Sequence, residues 1–175
     1  MKRIDFNVIY ISLRVHPPDG ILKRINNFRN IQYINGPVNR RNLFRSIYPN
    51  IDILCIPSYI DTFGYAFLEA MAFKKPCIGT NHFAIPEIIS EGKTGLIINS
   101  LVSNFFNQNN TVDLSFIKND KIISELSICL EKLLSSETLR EKMGLEGNKQ
   151  IVDGKFSICK RNKILKLIYE LAESC

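Results

Sequence analysis

Short apolar runs alternate with amphipathic segments through the first half of the chain. Residues 6–13 are apolar and β-rich, the pattern of a strand covered on both faces. The turn HPPDG follows, and ILKRINNF then carries helical spacing. Residues 31–34 predict a second strand, closed by Gly36-Pro37. Residues 39–48 predict a helix whose apolar stripe is Leu43, Phe44 and Ile47. A third strand is expected at 51–56, stopped by Pro57-Ser58, then a helix at 64–73 and a short buried strand at 76–79. A helical turn at 85–89 and a last strand at 95–98 complete the series. Strands that alternate with helices in this way predict an α/β fold, an open parallel sheet with helices on both faces.

Residues 101–119, with FFNQNN at their centre, break the alternation and read as a loop or insertion. From residue 120 onward the periodicity is helical throughout: 122–134, then 137–152 with Ser136 as N-cap, then 158–172 capped by Ser157. The expected organisation is a single Rossmann-like domain over residues 1–175, with its core at 6–98 and an all-helical C-terminal tail at 120–173.

Composition adds three constraints. A chain of 175 residues that is 45% hydrophobic and 23% charged has enough apolar material for one globular core. Five cysteines, odd in number and widely spaced without a C-x-x-C pair, exclude a disulfide frame and a zinc site and indicate a cytoplasmic setting. The formal charge of +6 favours anionic partners, but the basic residues are spread along the chain with no aromatic-studded stripe, so no nucleic-acid partner is expected. The N-terminal MKRIDFNVIYISLRV is too short and too interrupted for a signal sequence, and no run reaches the ~20 apolar residues of a spanning helix. Membrane association is expected to be peripheral at most, at the inner face, with Lys160, Arg161, Lys163 and Lys166 as the basic residues that would meet it.

The chemistry concentrates in DILCIPSYIDTFGYAFLEAMAFKKPCIGTNHFAIPEIISEGKTGLI. Gly64 lacks a Cβ and lets a ligand approach the backbone, while the N–H groups of Phe63, Gly64 and Tyr65 stand at a helix start and are candidate anion donors. Asp61 precedes that turn and Glu69 follows it by about two helical turns, so carboxylates that accept from sugar hydroxyls flank a phosphate-attracting helix end. The plainer reading of the same residues is a helix cap at Asp61 and a solvated Glu69.

The run PS-x-x-D-T-F-G-x-x-x-L-E-A-M-A-x-x-x-P-x-I-x-T, followed by PEII-x-x-G-x-T-G-L-I, resembles the signature of retaining group 1 glycosyltransferases with two Rossmann-like domains, the GT-B architecture. The likeness extends over about residues 30–156. The family carries E-x(7)-E where this chain has D-x(7)-E at Asp61 and Glu69. The resemblance implies the donor-binding C-terminal half of a GT-B fold, which holds a nucleoside-diphosphate sugar for hexosyl transfer with retained configuration and no metal or other cofactor. It implies that Glu69 holds the ribose hydroxyls and Asp61 the transferred sugar, that the amides at Phe63, Gly64 and Tyr65 meet the diphosphate, and that Val38 touches the base. Three departures stand out: Asp61 is one methylene short of the usual Glu, Lys74 occupies a glycine place, and Phe83-Ala84 stand where two glycines are usual. Glu87 keeps the pattern and is expected to be structural. The spacing of the first two strands fits the family's second and third, so the family's first strand, its Arg/Lys phosphate clamp and its N-terminal acceptor domain are expected to be missing. The isolated chain is then expected to be inactive. The acceptor would be a glycan or lipid-linked glycan held by a separate acceptor domain, and the alternative is a non-catalytic remnant or subunit that binds nucleotide-sugar or docks on such a domain.

Overall fold

The computed structural model describes residues 5–12, 19–58, 61, 63–99 and 119–173; the expected loop at 101–119 therefore lies almost wholly outside the described residues. The chain divides into two compact units, Met1–Asn50 and Ile51–Cys175.

The first unit contains β1 (Val8–Ser12), α1 (Asp19–Asn26), β2 (Ile31–Asn35) and α2 (Arg40–Asn42), which runs directly into a π-helical turn, Leu43–Ile47. β1 and β2 are parallel, in register from Val8 opposite Ile31 to Ser12 opposite Asn35. Tyr10 and Tyr33 stack across that register with ring centroids 5.7 Å apart. Burial of β1 on both faces was the expectation; instead Ile9 and Tyr10 are exposed, since a two-stranded sheet offers little cover. The expected helix at 39–48 is capped by Asn39, whose Oδ1 accepts from Arg41 N at 2.8 Å. It then widens so that Tyr48 N donates to Leu43 O at 2.9 Å, an i→i+5 bond.

The second unit contains β3 (Leu54–Cys55), α3 (Tyr65–Ala72), β4 (Cys77–Thr80), α4 (Ile85–Ile88), β5 (Gly95–Ile98), α5 (Asn119–Leu134), α6 (Glu137–Val152) and α7 (Ile158–Glu173). β3, β4 and β5 form a second parallel sheet in that order. Among the described residues, the strands expected in one sheet thus form two.

Alternation along β4 sends neighbouring residues to opposite faces. Ile78 joins Leu96, Ile98, Ile122, Leu133 and Met143 in the main core under α5 and α6. Gly79 faces the other way, where Phe67 of α3 and Ile85 and Ile89 of the α4 segment leave no room for a Cβ. Helices therefore cover both faces, as the fold class expected. Ser136 caps α6 as expected, its Oγ accepting from Leu139 N at 3.2 Å. α6 lies close against α3: a Cβ on Gly144 would fall 1.9 Å from the Lys74 carbonyl oxygen. Asn148 Nδ2 donates to the Ala72 and Met71 carbonyls, at 2.9 and 3.3 Å. No helix among the described residues is long and apolar enough to cross a membrane.

Candidate functional site

The loops after β3 and β4 leave the same edge of a parallel sheet, the carboxyl edge where open α/β folds bind ligands. Thr80 Oγ1 donates to Ser58 O and ties the two loops together.

α3 begins at a strained point that only glycine satisfies. Gly64 has φ +79°, and a Cβ there would sit 2.8 Å from the Phe67 ring and 3.6 Å from Ile88 Cδ1. Asp61 Oδ1 accepts from the amides of Phe63 and Gly64, at 3.3 and 2.9 Å. Two of the three candidate anion donors are therefore engaged by the chain's own carboxylate, which satisfies the electropositive helix start in the way a bound anion would. This is an Asx-type turn ahead of the helix rather than the cap read as the plainer alternative: the N-cap of α3 is Gly64, with no side-chain cap bond, and the short aspartate is what lets the carboxylate turn back onto amides two and three residues ahead.

Along α3, Phe67, Ala70 and Met71 are buried. Helical spacing places Glu69 on the opposite side, one turn below Tyr65 and in line with it. Glu69 is half-buried. Phe63 is 37% exposed and Tyr65 69% exposed, with ring centroids 4.8 Å apart, so an aromatic pair borders the Gly64 turn. Val38 belongs to the first unit, half-buried just after Gly36-Pro37. Glu87 is exposed; its carbonyl accepts from Lys155 Nζ at 3.0 Å. Among the described residues, no three His, Cys, Asp or Glu side chains cluster in a way that would hold a metal ion.

Two of the three residues at glycine places, Lys74 and Phe83, share one backbone property, which Ala84 at φ −79° does not. Lys74 has φ +58° and Phe83 has φ +51°, the left-handed region that bulky L-residues avoid. Both side chains strain a backbone that glycine would adopt freely. Phe83 is 48% exposed, in the turn between β4 and α4. Beside it His82 is only 7% exposed, and burial lowers its pKa from the ordinary value. Sequence reasoning noted Phe83 as a departure and weighed His82 only as one of two histidines too few for a metal cluster; a single histidine in a loop carries no pattern.

Residues 26–104 match the family "Glycosyl transferases group 1", and this part of the chain is a glycosyltransferase group 1 domain of Rossmann-like, GT-B type fold. The particular likenesses are these. The chain is 30% identical over 128 residues to the capsular polysaccharide biosynthesis glycosyltransferase CapM of Staphylococcus aureus, covering 73% of this chain and 26% of that protein. It superposes on Anabaena Alr3699/HepE in complex with UDP with TM-score 0.64 at 13% identity, over 97% of this chain and 41% of that one. It superposes on the C-terminal domain of the Francisella tularensis group 1 glycosyltransferase LpcC with TM-score 0.51 at 21% identity, over 87% of each chain. The chain thus spans about a quarter of the length of the curated relative CapM.

Proposed function

We propose that this chain holds a nucleoside-diphosphate hexose for a glycosyl transfer that retains anomeric configuration. The observation that supports this reading most is the Gly64 turn with Asp61 on it, at the carboxyl edge of β3 and inside the stretch that matches the family. HepE binds UDP, and a uridine nucleotide is the donor class carried over from it.

In this reading the diphosphate takes the place of the Asp61 carboxylate on the amides of Phe63 and Gly64, joined by that of Tyr65. Asp61 then turns outward to the hydroxyls of the transferred sugar. Glu69 binds the ribose hydroxyls. The bond from the anomeric carbon to the β-phosphate oxygen breaks and its electron pair leaves with the diphosphate, while the acceptor hydroxyl oxygen forms the new bond on the same face and its proton passes to the departing β-phosphate oxygen. The helix start stabilises the charge that develops on the leaving group, so the reading requires no metal. The acceptor, a glycan or lipid-linked glycan, is held by a separate acceptor domain. The chain alone does not exclude water from the donor and is inactive by itself.

Calorimetric titration with UDP-glucose, UDP-N-acetylglucosamine and GDP-mannose tests the reading. Binding of one of them, weakened at least about tenfold by Glu69→Gln, is the expected result. No binding of any at ligand concentrations up to about 1 mM would defeat it.

A further inference from the structure

We infer that Phe83 is a specificity residue whose ring forms one wall of the pocket for the transferred pyranose; this rests on the function proposed above.

Three observations converge. The first is place. Phe83 stands in the turn from β4 to α4, two residues ahead of Ile85, whose amide donates to His82 O at 3.1 Å. Ile88, at the other end of α4, lies 3.6 Å from where a Cβ on Gly64 would be, and the loop before Gly64 is tied to the end of β4 by the Thr80–Ser58 bond. Phe83 and the carboxylate-bearing turn therefore share one edge of one sheet.

The second is cost. A phenylalanine at φ +51° is strained in a way that glycine is not. A side chain kept at a strained position near a ligand edge points to use of that side chain.

The third is chemistry. Phe83 is 48% exposed, and Phe63 and Tyr65 at the same edge are 37% and 69% exposed. Aromatic faces beside carboxylates match the two surfaces of a pyranose. The C–H face packs on the electron-rich ring, and the hydroxyls donate to the carboxylate. A diphosphate offers no such face. The ring of Phe83 therefore reads the sugar.

The test compares wild type, Phe83→Gly and Phe83→Tyr in calorimetric titrations with UDP and with UDP-glucose, and in thermal melts. Phe83→Gly is expected to melt about 1–4 °C higher, to bind UDP as wild type does, and to bind UDP-glucose about tenfold more weakly. Phe83→Tyr restores the ring and is expected to restore the UDP-glucose affinity. If Phe83→Gly binds UDP-glucose as tightly as wild type, or melts lower than wild type, the inference is wrong while the donor-binding reading stands. If wild type binds neither UDP nor UDP-glucose, the donor-binding reading itself has failed.

Discussion

Lys74 allows the strain argument to be measured away from the candidate site. Its backbone completes a two-bond helix terminus: Lys74 N donates to Met71 O and Lys75 N to Ala70 O, each at 3.0 Å. That pattern closes α3 with a left-handed residue at its first position beyond the end, where glycine is usual. Alternatives are blocked, because the Lys74 carbonyl lies against Gly144 of α6 and Asn148 holds the last carbonyls of α3. The left-handed backbone costs an L-residue about 1–2 kcal/mol. Glycine avoids that but loses about 0.5–1 kcal/mol more in backbone entropy on folding. Lys74→Gly should therefore stabilise the protein by about 0.5–1 kcal/mol, or about 1–4 °C in Tm for a chain of this size. Thermal and urea unfolding followed by circular dichroism measure it. Lys74→Ala is the control: it removes the ammonium, keeps the Cβ, and should gain nothing. A Lys74→Gly melt at or below wild type would refute the reasoning, and with it the cost assigned to Phe83.

Other outcomes follow from single residues. Asp61→Ala should cost about 1 kcal/mol, whereas Asp61→Asn, which keeps an acceptor oxygen for Phe63 N and Gly64 N, should cost less; equal melts for the two would show that those bonds do not hold the turn. Burial holds His82 neutral in the folded chain, so the unfolded chain binds the extra proton first as pH falls. The stability contributed by neutral His82 is present above about pH 6.5 and is lost as pH drops toward its lower folded value, so His82→Gln should flatten the decline in Tm between about pH 7 and 5. Burial pushes the Cys55 thiol up to about 12 and the Cys77 thiol higher still, while Cys159 is exposed. A disulfide reagent at about pH 8 should therefore modify Cys159 promptly and reach Cys55 and Cys77 only on unfolding, which mass spectrometry of the labelled peptides resolves.

Most of the second unit was legible from local signals. Ser136 followed by helical periodicity marked the start of α6 correctly, because a side-chain cap is a short-range interaction. Gly95–Ile98 matched because a buried apolar run between turn residues admits little else. β3 proved to be two residues, Leu54–Cys55, where six were expected, since strand length is decided by the partner and not by the run itself. The π-helical turn at Leu43–Ile47 left no trace, because its i→i+5 bond differs from an α-helix in backbone detail rather than in residue type. At the candidate site, Gly64 announced its backbone need, and Asp61 the short acidic side chain that folds back onto the turn before the helix. The positive φ of Lys74 and Phe83 was hidden, since neither residue type favours that region, and only the glycine expected from the family marked the places.

The grip of α6 on the far end of α3 has a mechanical consequence. With Gly144 seated on Lys74 and Asn148 fastened to the final carbonyls, that rod is anchored at its tail, so it has little scope to slide or tilt as a whole. Under the proposed function, accommodation of the donor must then be local, taken up by a swing of the Asp61 carboxylate and a small rearrangement at the leading tip of α3. The helical tail beyond the matched stretch is thus the bracket that holds α3, and the Gly64 turn at its start, in position.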